Sequence, residues 1–368
     1  MKRSPQANRT SEKIQPAVSS SGAELRRALL DWFDRVQRPL PWRSTKDPYA
    51  IWLSEVMSQQ TRVETVIPYY EKFLTEYPTV MHLAEAPVEE VLGHWSGLGY
   101  YRRARMLHRT AQEVVARHGG VFPREKEGLE ELPGIGPYTA GAVASIAFDE
   151  PASVVDGNVV RVFARLFDDD TDGRTPAGLA RFRDRADALV PTERPGDWNQ
   201  ALMELGATVC TPREPRCLLC PVAALCAGRA KGTAHALPRL SKKAKPVAAA
   251  FDALVVAGEG HVLLAERKAE GLFGGLLEPP LFDTAPTLLE AAEAAKLDLA
   301  DSLGDVCHTL SHRKLAVAVH RVDRALRRTP KLPLGDAYVA LHVVPWPLPD
   351  GTRVSTLARK ILALALET

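Results

Sequence analysis

Cys210, Cys217, Cys220 and Cys226 form a C-x6-C-x2-C-x5-C run, which draws four thiols into one compact loop. Four soft ligands this close imply a metal centre, and the chain on either side must fold so as to carry it. The spacing leaves a structural zinc and an iron-sulfur cluster both open. Cys307, the fifth cysteine, stands alone far downstream. The odd count and tight clustering argue for ligation in a reducing compartment over disulfides.

A chain of 368 residues is long enough for two or three domains with cores of their own, and two is the working count. Forty-seven Lys and Arg against 45 Asp and Glu give a formal charge of +2, so net charge does not by itself argue for nucleic acid. No apolar run approaches the roughly 18 residues needed to span a bilayer. The opening MKRSPQANRT is basic with no hydrophobic stretch behind it. A soluble, unexported, cytoplasmic chain with no membrane partner is expected.

Residues 1–22 are polar and read as a flexible tail. From Leu25, the apolar positions Leu25, Leu29, Trp32, Phe33 and Val36 recur at helical spacing, and such patterns continue to about residue 205. Residues 23–230 therefore form an all-α domain that carries the cysteine loop. Residues 231–250 are interrupted by Gly, Pro and Lys and form a linker. Residues 251–368 form an α+β domain. Its strands are DALVVAGEGHVLLAER, paired through Gly-Glu-Gly, then LAVAVHRVDRAL and YVALHVVPW, with helices near 286–297 and 355–366.

Four segments of the helical part carry chemistry. In LPGIGPYTAGAV, Gly134 and Gly136 break one helix and Pro137 opens the next, a helix-hairpin-helix whose backbone N-H groups suit a DNA phosphate. In SVVDGNVVRVFARLF, Asp156 precedes a helical pattern, and a helix N-cap is its ordinary explanation. In PYAIWLSEVMSQQTRVETV, Glu55 lies among the apolar residues Ile51, Trp52, Val56 and Met57, surroundings that suit a carboxyl to acid catalysis. WSGLGYYRRARMLHRTA mixes Tyr100 and Tyr101 with Arg102, Arg103, Arg105 and Arg109, a set suited to stacking on bases and neutralising phosphates.

In their order and spacing, across about residues 24–230, these segments resemble the helix-hairpin-helix glycosylase superfamily. LPWR at 40–43, WLSEVMSQQT at 52–61, GLGYYRRAR at 97–105 and VDGNVVRV at 155–162 resemble the A/G-specific adenine DNA glycosylases of the MutY type within it. That resemblance implies a base-excision enzyme acting as a monomer on double-stranded DNA, on adenine opposite 8-oxoguanine or guanine, and nucleoid-associated if bacterial. It implies a 4Fe-4S cluster on Cys210, Cys217, Cys220 and Cys226. It makes Glu55 the proton donor to the extruded base and Asp156 the carboxylate that stabilises the sugar cation, with Asn158 and Tyr138 orienting the pair. Bifunctional lyases of the superfamily carry a Schiff-base lysine where this chain has Tyr138, so hydrolysis without lyase chemistry is implied. Arg38, Leu40, Trp42 and Gln200 are implied around the adenine, Gln60 and Tyr100 as wedges into the stack, and Gly134 and Gly136 on a phosphate.

The C-terminal part resembles the Nudix-like lesion-sensing domain of the same branch, carried by GLFGGLLEPP at 271–280. Leu310, Ser311 and His312 align with a Phe-Ser-His motif that contacts 8-oxoguanine, with Leu310 replacing the usual Phe. No acidic REx2EEx box is present, which argues against magnesium-dependent nucleotide hydrolysis. A glycosylase for oxidised pyrimidines would favour Lys over Tyr138, and a DNA-docking or redox-sensing protein would have no need of both Glu55 and Asp156.

Overall fold

The computed structural model describes residues 21–242 and 244–367. The tail expected over residues 1–22 falls outside these as far as residue 20, and helix begins at Ser21. Among the described residues twelve α-helices precede the first strand. They are α1 (Ser21–Val36), α2 (Pro48–Ser58), α3 (Val63–Glu76), α4 (Val80–Glu85), α5 (Val88–His94), α6 (Arg102–His118), α7 (Lys126–Glu130), α8 (Pro137–Phe148), α9 (Gly157–Leu166), α10 (Pro176–Leu189), α11 (Pro195–Thr208) and α12 (Ala227–Ala230). Among the described residues no helix is long and apolar enough to cross a membrane.

Packing divides the chain into two units without following chain order: residues 21–39 with 144–241, and residues 40–143 with 242–367. The boundary falls inside α8. In the first unit, Leu25, Leu29, Trp32 and Phe33 of α1 close over Val159 and Phe163 of α9, Phe182 of α10, and Trp198, Leu202 and Leu205 of α11. Each large apolar side chain buried here contributes about 1.5–3 kcal/mol. Val36, which shares the apolar pattern of α1, is 46% exposed because it sits in the last turn, past that core.

In the second unit every residue of α2 from Tyr49 to Met57 is buried, as befits a helix that is apolar nearly all round. The turn between α7 and α8 is the expected hairpin. Gly134 takes φ +79°, and a Cβ there would sit 3.0 Å from Met106 Cβ, so glycine is required.

The same unit carries a seven-stranded mixed sheet: β1 (Val247–Gly258), β2 (His261–Arg267), β3 (Leu277–Glu278), β4 (Leu281–Phe282), β5 (Gly304–Thr309), β6 (Arg313–Asp323) and β7 (Tyr338–Pro345). Strand β1 starts at Val247, four residues before the expected domain start, because parallel pairing with β6 runs from Val247↔Arg313 onward. Glu259 and Gly260, at φ +50° and +73°, close the β1–β2 hairpin. Alternation along β1 sends Ala253, Val255 and Ala257 to one core with α14 (Thr356–Leu366), and Leu254 and Val256 to another with α13 (Ala285–Ala294). The sheet is thus covered by a helix on each face.

Helices and sheet meet within this unit. Ser96 Oγ and Tyr101 OH both donate to Val354 O, at 2.8 and 3.1 Å, and Arg105 Nη1 donates to Gly274 O. Gly93 packs against the Gly351 carbonyl so closely that a Cβ would overlap it.

Candidate active site and cysteine centre

Glu55 is 9% exposed on α2, between Ile51 and Trp52 on one side and Val56 and Met57 on the other. Tyr138, in the first turn of α8, donates its phenol proton to Glu55 Oε2 at 2.7 Å. A lysine in the place of Tyr138 would put an amine against this carboxyl. The phenol supplies a hydrogen bond but no amine nucleophile. One residue on, Thr139 Oγ1 accepts from Gln59 Nε2 at 3.3 Å, so the start of α8 holds the end of α2 at a second point.

Asp156 lies in the first unit and does cap α9, where Oδ1 accepts from Val159 N at 2.8 Å. The ordinary explanation of this aspartate therefore holds, but it accounts for only one of its oxygens. Asn158 Nδ2 donates to Oδ2 at 2.8 Å. Asn158 Oδ1 in turn accepts from Arg161 Nη2 at 2.8 Å. The Arg161 guanidinium also donates to Gly206 O and Cys210 O, both at 2.7 Å. Burial pushes the Asp156 carboxyl above its ordinary value, while hydrogen bonds from Val159 and Asn158 and the charge of Arg161 pull it back down. Arg161 was not singled out from the sequence. Its position three residues after Asn158, on one helix face, was the available signal.

All four loop cysteines are free thiols lining one small cavity, together with Arg165 and Arg229. Arg165 is 1% exposed and donates to Cys210 Sγ at 3.3 Å and to the carbonyls of Cys210, Thr211, Pro212 and Leu237. The Arg229 backbone N-H reaches Cys226 Sγ at 3.4 Å. Burial raises the Cys220 thiol to about 11 and pushes the Cys226 thiol up. Among the described residues no three His, Cys, Asp or Glu side chains gather to chelate one ion. Four free thiols on one cavity are a donor set that either a structural zinc or an iron-sulfur cluster accepts.

In the second unit a cavity of about 700 Å³ gathers Gln60, Tyr100, Gly134, Leu310, Ser311 and His312. Leu310 N donates to Arg313 O at 2.8 Å, so these three residues form the turn between β5 and β6. Ser311 and His312 are exposed, while Leu310 packs against the sheet core. Gly136 is exposed and is not among the residues that line this cavity. The basic segment around Tyr100 divides its labour more than expected. Tyr101 is 6% exposed, Arg103 is turned inward onto carbonyls, and Arg105 holds Gly274, leaving Arg102 and Arg109 exposed.

The residues expected around adenine fall in both units. In the first, Arg38 makes a two-pronged ion pair with Glu204 at 2.7 and 3.0 Å, and Gln200 lies one turn before Glu204 on α11. Glu204 is 1% exposed and was missed in the sequence, where nothing sets it apart from any other helical glutamate. In the second unit, Leu40 is partly buried and Trp42 packs edge-on against Tyr70, with ring centroids 5.3 Å apart.

Residues 53–182 match the family described as HhH-GPD superfamily base excision DNA repair protein, and residues 253–364 match the NUDIX domain. The adenine DNA glycosylase of Rattus norvegicus is 39% identical over 358 residues, covering 80% of this chain and 69% of that protein. The adenine DNA glycosylase of Buchnera aphidicola subsp. Baizongia pistaciae (strain Bp) is 31% identical, covering 78% of this chain and 83% of that protein. Among solved structures, a thermostable thymine-DNA glycosylase superposes with a TM-score of 0.54 at 31% identity, over 59% of this chain and 100% of its own. At these identities and coverages the chain belongs to the adenine DNA glycosylase family.

Proposed function

We propose that this chain is a monofunctional glycosylase that hydrolyses the N-glycosidic bond of adenine opposite 8-oxoguanine or guanine in duplex DNA. The observation that carries the reading is the buried Glu55 carboxyl hydrogen-bonded to a phenol, where the lyases of the superfamily resemblance have an amine. Glu55 protonates the extruded adenine at N7, which makes the base a better leaving group. As the bond breaks, positive charge develops at the sugar. Asp156, oriented by Asn158 and Val159 N, stabilises that charge as a carboxylate until water adds. Tyr138 keeps the Glu55 carboxyl in one orientation.

Cys210, Cys217, Cys220 and Cys226 hold a 4Fe-4S cluster in this reading, supported by the unpaired thiols around one cavity and by the Arg165 and Arg229 donors to their sulfurs. When bound, the cluster supplies a redox-capable cross-link to the loop. Ser311 and His312, with Leu310 behind them, face the base opposite the adenine. Gly134 N-H and Gly136 N-H meet a backbone phosphate.

The test is single-turnover adenine release from a duplex with A opposite 8-oxoguanine. Glu55→Gln is expected to lose roughly 10²–10⁴-fold, the usual contribution of general acid catalysis. Cluster-loaded wild type that binds this duplex and releases no adenine refutes the reading.

A further inference from the structure

Arg103 stands in the first turn of α6 with its guanidinium turned inward. Nη1 donates to the carbonyls of Val56, Met57 and Gln59 at 2.8, 2.8 and 2.6 Å, and so caps the end of the helix that carries Glu55. Nη2 reaches Thr61 Oγ1 at 3.1 Å and Gly99 O at 3.3 Å. The guanidinium lies 5.2 Å from the centroid of Trp95 and 5.4 Å from that of Tyr100. A cation at a helix C-terminus is favoured by the helix dipole, and a planar guanidinium suits several carbonyls at once as an ammonium does not. Burial lowers its pKa to about 10, which leaves it charged at neutral pH.

The two segments it joins share a second property. Gln60 and Tyr100 are exposed, hold left-handed backbone at φ +57° and +50°, and line the same cavity. Non-glycine residues in that region cost roughly 1–3 kcal/mol each, and surrounding structure must hold them there. Arg103 touches the backbone just before each of them, at Gln59 O and Gly99 O, and one face of the Tyr100 ring.

We infer that Arg103 is a positioning residue that sets Gln60 and Tyr100 as a rigid pair of wedges and ties them to the Glu55 helix, so that opening the base stack and presenting the proton donor are one geometric event. This rests on the adenine-excision reading.

The experiment uses cluster-loaded full-length chain and a duplex with 8-oxoguanine opposite a 2′-fluoro adenine, which resists cleavage, with 2-aminopurine beside that adenine to report unstacking. Excision is measured on the matching cleavable duplex. Wild type should give a fluorescence rise. Arg103→Met should lose that rise and about 100-fold in single-turnover rate, the scale of an ångström misplacement, while staying folded at assay temperature with plain-duplex affinity unchanged. Arg103→Lys keeps the charge between the two rings but cannot span the carbonyls. It should fold and show the same losses, and it decides the matter if Arg103→Met does not fold. A normal fluorescence rise in a folded variant overturns the inference whatever its rate, and so does failure of both variants to fold. Wild type that releases no adenine overturns the proposed function and this inference with it. Wild-type release beside unaffected variants overturns this inference alone.

Discussion

Arg161 is a residue whose weight comes from where its five donors point. Its guanidinium joins the first cysteine of the loop to Asn158, and Asn158 holds Asp156. Its charge lowers the Asp156 carboxyl against the upward push of burial. If ionised Asp156 stabilises the sugar cation, excision must fail as pH falls through a value above the group's ordinary 3.8. Removing the nearby positive charge raises that value further. Arg161→Met should therefore move the acid limb of the single-turnover rate to higher pH and slow excision by roughly 10–100-fold, as for other groups that orient a reacting side chain. A pH–rate profile checks this, and an unmoved limb would show that Arg161 serves the loop alone. Asp156 and Cys210 are both conspicuous in the sequence, whereas the arginine between them is one of many. Its role depends on carbonyls 45 and 49 residues away.

Between elements, the closest fit in this network is α11 against α9. Gly206 lies so near Asn158 that an added Cβ would sit 2.5 Å from Asn158 Cβ. Backbone at this point cannot retreat, because Gly206 O also receives Arg161. Gly206→Ala is expected to cost about 1–3 kcal/mol in thermal or denaturant unfolding, the range for overpacking. It should also depress excision, because Asn158 is the side chain that must move. A variant that melts early but excises at the wild-type rate would separate packing from catalysis here. The existence and type of α9 and α11 are legible in their apolar spacing and in Asp156 as an N-cap. Their contact is not, because a glycine inside a helical pattern marks a close approach without naming the partner.

In the whole molecule, the sheet domain is packed onto part of the helical region within one unit. Ser96 and Tyr101 donate to one carbonyl, Val354 O, and Gly93 admits the Gly351 turn. Gly93→Leu should force this seam apart while each core stays intact. Limited proteolysis is then expected to release a stable C-terminal fragment beginning near residue 242, at a rate well above that of wild type. A cleavage pattern like that of wild type would show that the seam adjusts. If the proposed sensing of the base opposite adenine holds, opening the seam should also weaken discrimination between 8-oxoguanine and guanine, because Gln60 and Tyr100 line one cavity with Ser311 and His312.

By itself, the sequence determined what is local or periodic. The helical half, the paired strands around Gly258-Glu259-Gly260, the hairpin at Gly134 and the clustered thiols all follow from spacing along a few residues. Glu55 and Asp156 stood out only through the family resemblance of their segments, since spacing alone made Asp156 a helix N-cap. Tertiary structure alone decided which polar groups find each other. It turned Arg103 inward onto α2, gave Glu204 to Arg38, and set Arg161 between a cysteine loop and an aspartate. The physical reason is that a side chain's charge is written in the sequence, but its partner is whichever carbonyl or carboxylate the fold leaves buried beside it, and a buried polar group must be paired.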